Sequence, residues 1–470
     1  MHLSTPSPAG RPAPRTNLLR WPVLRRLARA PRGRLLLQIP LLLWALLVLY
    51  DGFTGPQVAP ENIATVSVWL HYRGIVVLVL LLFGNLFCMA CPFALPRSLA
   101  HRLSLRGWRW PRRLRNKWVA IGAFALLLLL YEWLDLWASP WLTAWVTVAY
   151  FVAAFALEAL FEESAFCKYV CPLGSFNFLS STISPMQITV QDSDICRTCP
   201  GKECVNGSAA VPGCGTLLFP PQLTSNMDCV FCLDCARACP YENVALVPRS
   251  PLAELSDPGA WPLRWDLGLL ALVFAFAALS NAFGMAPPFY DLLERLGAMP
   301  IGLRLVLIFG ALNLLLPAAT GLGVAALSRA ISGSRELLRH NFGRYAPTAL
   351  PLAFAIWLAH YGFHFATGAL ALIPVMHAFL QDHGLALAGR PDWTMSAILP
   401  FSWLLPLQVI ATLLGLAGSL YALDRRAGRT AAPPSRTALL PWAILWLLLA
   451  FAAIAIFSLP MEMRGTRFMD

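Results

Sequence analysis

Eight of the twelve cysteines in this 470-residue chain lie in one polar stretch. In "CVFCLDCARACP", Cys229, Cys232, Cys235 and Cys239 follow C-x2-C-x2-C-x3-C-P. That spacing wraps a loop around a cubane: three thiolates reach three irons of one cluster, and the fourth, before the proline, ordinarily ligates a neighbouring cluster. A neighbour is therefore expected. "CRTCPGKEC" supplies Cys196, Cys199 and Cys204, and Cys214 follows in "VPGCG". Crossing the fourth ligands assigns Cys196, Cys199, Cys204 and Cys239 to one [4Fe-4S] cluster, and Cys229, Cys232, Cys235 and Cys214 to the other. Zinc competes, because four-cysteine zinc sites also use C-x2-C pairs. Four cysteines packed this closely and ending in Cys-Pro favour iron–sulfur.

The remaining four form two pairs. Cys88 and Cys91 lie in "FGNLFCMACPFALPR", and Cys167 and Cys171 lie in "FCKYVCPLGSF" about 79 positions later. Each pair follows an apolar run and precedes a proline, which disfavours helix in the residue before it. The i,i+3 and i,i+4 spacings put each pair on one helical face if the helix persists that far. Two such ends side by side present four thiols to one site. Three readings stand: a third metal centre shared by the four, redox-active or metal-transferring thiol pairs, and packing of cysteine as a small apolar residue.

The elements that must position these residues are membrane helices. The chain is 58% hydrophobic and 13% charged, with a mean hydropathy of +0.61. Apolar runs suited to a hydrocarbon layer of about 30 Å fall near 36–50, 64–90, 118–137, 140–166, 262–285, 301–327, 346–378, 396–422 and 437–458. The expected fold is therefore an all-α polytopic membrane protein of about nine transmembrane helices, interrupted by a small two-cluster, bacterial-ferredoxin-like insert. Its domains are a basic N-terminal segment (1–35), a four-helix membrane region with the two Cys-Pro motifs (36–184), the insert (185–255) and a five-helix membrane region (256–470). The first run follows a basic segment too long for a signal-peptide n-region, with no A-x-A pattern after it, so it reads as a retained anchor. Arg25-Arg26 only resembles a twin-arginine signal.

The net charge of +12 reports topology rather than nucleic-acid binding. Eight arginines precede the first run and eight basic residues lie between Arg97 and Lys117, whereas "DGFTGPQVAPEN" and "ASPW" hold none. The positive-inside rule puts the N-terminus and the cysteine island in the cytoplasm and the C-terminus in the periplasm, as in a multi-pass protein of a bacterial inner membrane. A reducing cytoplasm disfavours a disulfide framework and leaves the soft thiolates for metal.

With "FCKYVCPLGSF" leading into a two-cluster island, residues 60–250 resemble the membrane-bound 4Fe-4S polyferredoxins of the NosR, NapH and CcoG type. The resemblance implies electron transfer through cytoplasmic-side clusters and membrane-edge C-x3-C-P motifs, in nitrous oxide reduction, periplasmic nitrate reduction or copper reduction during oxidase assembly. This chain departs from that pattern in its C-x2-C-P first motif, in lacking a flavin-binding domain before the spans, and in five further spans after the island.

A path across the membrane needs a relay, and the histidines are candidates. His71 lies seventeen positions before Cys88 on one expected span, about 26 Å along a helix. His360 and His364 share a face of the seventh span, with His377 further out. These residues offer haem b ligands, with His71 opposite His360 or His364. A quinol pocket using His71, Arg73, Glu132 or Asp135 and plain interfacial anchoring beside Trp69, Tyr72, Tyr131 and Trp133 are the other readings. Met461 and Met463 could meet Cu(I). No Walker, G-x-G-x-x-G or G-x-S-x-G motif occurs.

The function expected is membrane-bound iron–sulfur electron transfer between a cytoplasmic or membrane (quinone) donor and a respiratory or periplasmic redox partner. The alternatives are a copper or metal-ion reductase or metal-handling assembly factor, and a cluster-bearing redox sensor. Expected partners are membrane lipid and redox proteins or quinone, without nucleic acid; the sequence sets no oligomeric state.

Overall fold

The computed structural model describes residues 16–30, 33–95, 107–161, 164–209, 211–385, 388–430 and 433–464. Parts of the basic N-terminal segment (1–15 and 31–32), of the basic loop (96–106) and of the tail (465–470) lie outside the described residues.

Ten helices organise the chain: α1 (Leu35–Thr54), α2 (Ile63–Phe83), α3 (Trp118–Trp133), α4 (Pro140–Leu160), α5 (Pro172–Ser181), α6 (Trp265–Phe283), α7 (Ile301–Ser332), α8 (Leu338–Gly368), α9 (Phe401–Gly428) and α10 (Arg436–Phe457). Eight of them, all but α3 and α5, are long and apolar enough to cross a membrane. Their outward faces carry leucines and aromatics such as Leu36, Leu315, Leu414 and Phe451. That much exposed apolar surface suits lipid and is a liability in water.

α3 is shorter, yet it runs the full length of α6. At its start the Lys117 amide donates to Asp266 Oδ2 in the first turn of α6 (2.7 Å). At its end Arg464 donates to both Glu132 Oε1 (2.7 Å) and the carbonyl of Gly284, just past α6 (2.8 Å). α6 and α8 form the buried centre, joined where Trp357 Nε1 donates to the Phe274 carbonyl (3.0 Å).

The second and fourth apolar runs do not continue as helices to the cysteines. α2 stops at Phe83, where Gly84 takes φ +67°, and a Cβ there would collide with Ser184 Oγ. The chain then turns back: the short helix Leu86–Ala90 lays Phe87 against Tyr72 of α2, ring centroids 4.9 Å apart. α4 likewise stops at Leu160, and a π-helical turn, Phe166–Val170, brings Phe166 back to Tyr150 of α4 at 6.1 Å. Hydropathy reads an apolar re-entrant segment as more span, because both are apolar; only the glycine hinge and the paired prolines mark the turn. The seventh run also divides: α8 ends at Gly368 and His377 sits on a separate helix, Leu372–Asp382.

The polar island sits over the face where α2 and α4 end. Met186–Val190 and Val244–Pro248 pair as an antiparallel ribbon that brackets the cysteine segment. Ile188, Phe231, Ala236, Val244 and Leu246 form its small core. The N-terminal helix Pro22–Arg29 docks on it through Arg25 and Arg29, both ion-paired with Glu242.

Candidate metal centres

The two cysteine motifs match around their third cysteines, although Cys196 lies in a helix, Ser193–Thr198, and Cys229 in a loop. Lys202 and Leu233 each adopt a left-handed conformation (φ 46° and 59°) and each starts a short helix, Glu203–Asn206 and Asp234–Ala238. The third cysteine of each motif, Cys204 or Cys235, is the second residue of that helix. The match extends to the fourth cysteines. Leu217 donates its amide to the Cys214 carbonyl (2.9 Å) and Leu218 to Cys214 Sγ (3.4 Å); Glu242 and Asn243 do the same for Cys239 (both 3.4 Å). Leu217 and Glu242 are again left-handed. Six of the seven described non-glycine residues with positive φ lie in this island. Each is conformationally unfavourable, and strain of this kind collects where a ligand or function demands a special backbone.

This backbone gathers the sulfurs into two sets. Cys196, Cys199, Cys204 and Cys239 line one small pocket. Cys214 lies within electrostatic reach of Cys229, Cys232 and Cys235. The sets are neighbours, because Cys235 also feels Cys204. Burial first, then Cys239, Cys196 and Cys199, push the Cys204 thiol up to about 12. Burial also lifts Cys229 to about 12, with Cys214, Asp228 and Cys88 adding to it. As bare thiols these groups stay protonated at neutral pH, so a metal taking them as thiolates must displace protons.

The donor chemistry fits thiolate-bound iron. Asn243 Nδ2 donates to Cys196 Sγ (3.1 Å) while its backbone amide serves Cys239. Hydrogen bonds of this kind to sulfur set the potential of an iron–sulfur cluster. Among the described residues, no group of three or more His, Cys, Asp or Glu side chains is gathered as for a single metal ion. A cubane places its four thiolates on four different irons, so they stand further apart than around one ion.

The other four cysteines meet below the island. Cys91 is within electrostatic reach of Cys88 and Cys171, and Cys167 is within reach of all three. Cys171 caps α5, its Sγ accepting from the Gly174 amide (3.1 Å), and Cys88 Sγ accepts from Asn177 Nδ2 of α5 (3.2 Å). Neither pair lies on one uninterrupted helical face, since Cys91 and Cys171 both have extended ψ ahead of their prolines.

The candidates for a haem or quinol site separate. His71 has Nδ1 at the Val66 carbonyl (3.0 Å) and Nε2 at the Ala369 carbonyl (2.8 Å), which leaves neither nitrogen directed at a haem iron. The turn at Gly84 also removes its expected 26 Å separation from Cys88, since Phe87 rests on the residue next to His71. His360 and His364 stack edge to face at 4.9 Å, and neither ring nitrogen of His360 has a hydrogen-bond partner. Arg73 sits over the rings of Trp69, Tyr131 and Tyr361. Glu132 is clasped by Arg464, and Asp135 is a left-handed residue (φ 44°) in the turn after α3. Met461 packs on the helical core.

Sequence reasoning missed Asn243, Asn177 and Asn85, the last of which donates Nδ2 to the Cys229 carbonyl (3.0 Å). Asparagines on either side of cysteine motifs are a weak signal, because the same residue more often serves a turn. It also missed Arg464, whose partner is over three hundred positions away. Comparison with protein-family models, curated proteins and solved structures yields no match to the chain.

Proposed function

We propose that this is a membrane-bound iron–sulfur electron-transfer protein of polyferredoxin type, with two [4Fe-4S] clusters in the island. The observation that carries the reading is the backbone repeated around the third and fourth cysteines: a left-handed residue two positions before the third, another three positions after the fourth, and the same amide-to-sulfur contacts. Cys196, Cys199, Cys204 and Cys239 hold one cluster, and Cys229, Cys232, Cys235 and Cys214 the other. Bound clusters supply reversible one-electron transfer. The protein's own part is to hold the thiolates, shield them from water and aim N–H donors at sulfur.

The island faces the cytoplasm and the C-terminal tail the periplasm of a bacterial inner membrane, supported by the arginine-rich loops on the island side. Electrons pass between a cytoplasmic or quinone donor and a respiratory or periplasmic redox partner. Iron and acid-labile sulfide analysis of the full chain tests this. About eight of each per chain are expected from the island alone, and Cys229→Ser should lower both. Zinc in place of iron, or unchanged iron and sulfide in the variant, overturns the assignment.

A further inference from the structure

Four thiols lie where a hydrocarbon layer would be deepest. Phe87, one residue before Cys88, rests on Tyr72 of α2. Tyr72 stands about 14 Å from one end of that helix and 16 Å from the other. Phe93, two residues after Cys91, and Phe166, one before Cys167, both rest on Tyr150 at 5.3 and 6.1 Å. Tyr150 is about 15 Å from each end of α4. Two re-entrant segments thus meet halfway through the helices, each broken at a Cys-Pro. Interrupted segments in corresponding positions of a repeat mark a binding site at the membrane midplane, and irregular backbone survives there only where protein or a cavity shields it.

We propose that Cys88, Cys91, Cys167 and Cys171 ligate a third iron–sulfur cluster in the middle of the membrane. The electron supply rests on the island reading above; the cluster itself does not. Packing of cysteine as a small apolar residue leaves the polar groups here without a purpose. Asn177, 1% exposed, spends its amide N–H on Cys88 Sγ while its Oδ1 has no partner, and the Gly174 amide is spent on Cys171 Sγ. Sulfur acceptors with N–H donors suit thiolates on iron. The positive end of the α5 dipole, at Cys171, offsets the cluster's negative charge.

The position explains the use. A centre at that depth breaks the crossing of a barrier of about 30 Å into shorter steps. Asn85, bonded to the Cys229 carbonyl, begins the segment that carries Cys88, so the island and the thiol site are physically joined. The step is a single electron: an island cluster is oxidised by one and the midplane cluster reduced by one, with no bond made or broken.

Anaerobically purified full-length protein tests this by iron and sulfide counts and by EPR-monitored redox titration. Wild type is expected to exceed the island's eight irons by about two or four. The double variant Cys91→Ser/Cys171→Ser should lose that excess and one EPR signal while the island signals remain. A wild type holding only about eight irons, a double variant identical to it, or zinc or copper in the thiol site overturns the proposal and leaves the island reading standing. Should Cys229→Ser also leave iron unchanged, both readings fall. Asn177→Leu keeps all four thiols, and is expected to keep the iron and lower the midpoint potential of the third signal alone. Three unmoved potentials would count against the site.

Discussion

Asn243 binds more of the island than any single cysteine does. Its side chain bonds Cys196 Sγ and the Asp192 backbone, its amide bonds Cys239 Sγ and its carbonyl accepts from Gln191. An N–H donor favours the more negative, reduced cluster, so Asn243→Leu should lower the potential of one cluster by tens of millivolts, on the order of 1 kcal/mol. Potentiometric EPR reads this, and an unmoved potential contradicts the role. At Gly84 a side chain meets both an unfavourable positive φ and Ser184. Gly84→Ala is expected to cost about 1–3 kcal/mol, measured as earlier thermal unfolding in detergent. The two sets of cysteines in the island could be grouped from spacing, because short spacers keep thiols close along the chain. The asparagines and Gly84 were not, since their partners come from distant segments.

Helices were legible where hydropathy and helix coincide, as in α1, α6 and α10. They were misread where an apolar segment re-enters, because composition does not record direction. The Arg464–Glu132 pair was also hidden, although it fastens the tail to the ends of α3 and α6. Removing one partner strands a buried charge, so Arg464→Met should destabilise by about 3 kcal/mol. Adding Glu132→Gln should recover much of that in thermal unfolding; a neutral single variant would contradict the clasp. The N-terminal helix is held more loosely. The hydrogen bond from Arg29 first, then the charges of Arg29 and Arg25, hold the exposed Glu242 carboxyl below its ordinary 4.5. A lowered folded pKa means the clasp is complete above 4.5 and is lost as pH falls through the folded value. Glu242→Gln should therefore raise protease sensitivity of residues 16–30 at neutral pH, wild type should show the same once the pH has fallen through the lowered folded value, and island iron should stay unchanged at neutral pH.

Across the whole molecule the cysteine sets and the buried polar side chains beside them fall in order. The outer cysteine set borders the inner set, the inner set joins the midplane thiols through Asn85, and beyond them lie Tyr72, Arg73 and the unpartnered ring of His360. The order was only half legible in sequence: motif spacing located the island, but the depth of the second thiol group depends on a fold-back that hydropathy does not record. The central claim is that the island carries two neighbouring cubanes. EPR of the dithionite-reduced full-length protein tests it most directly. Two [4Fe-4S] signals, broadened by each other because the sets adjoin, and both altered in Cys235→Ser, are predicted. An EPR-silent protein carrying zinc, or a single isolated signal indifferent to that substitution, would contradict it.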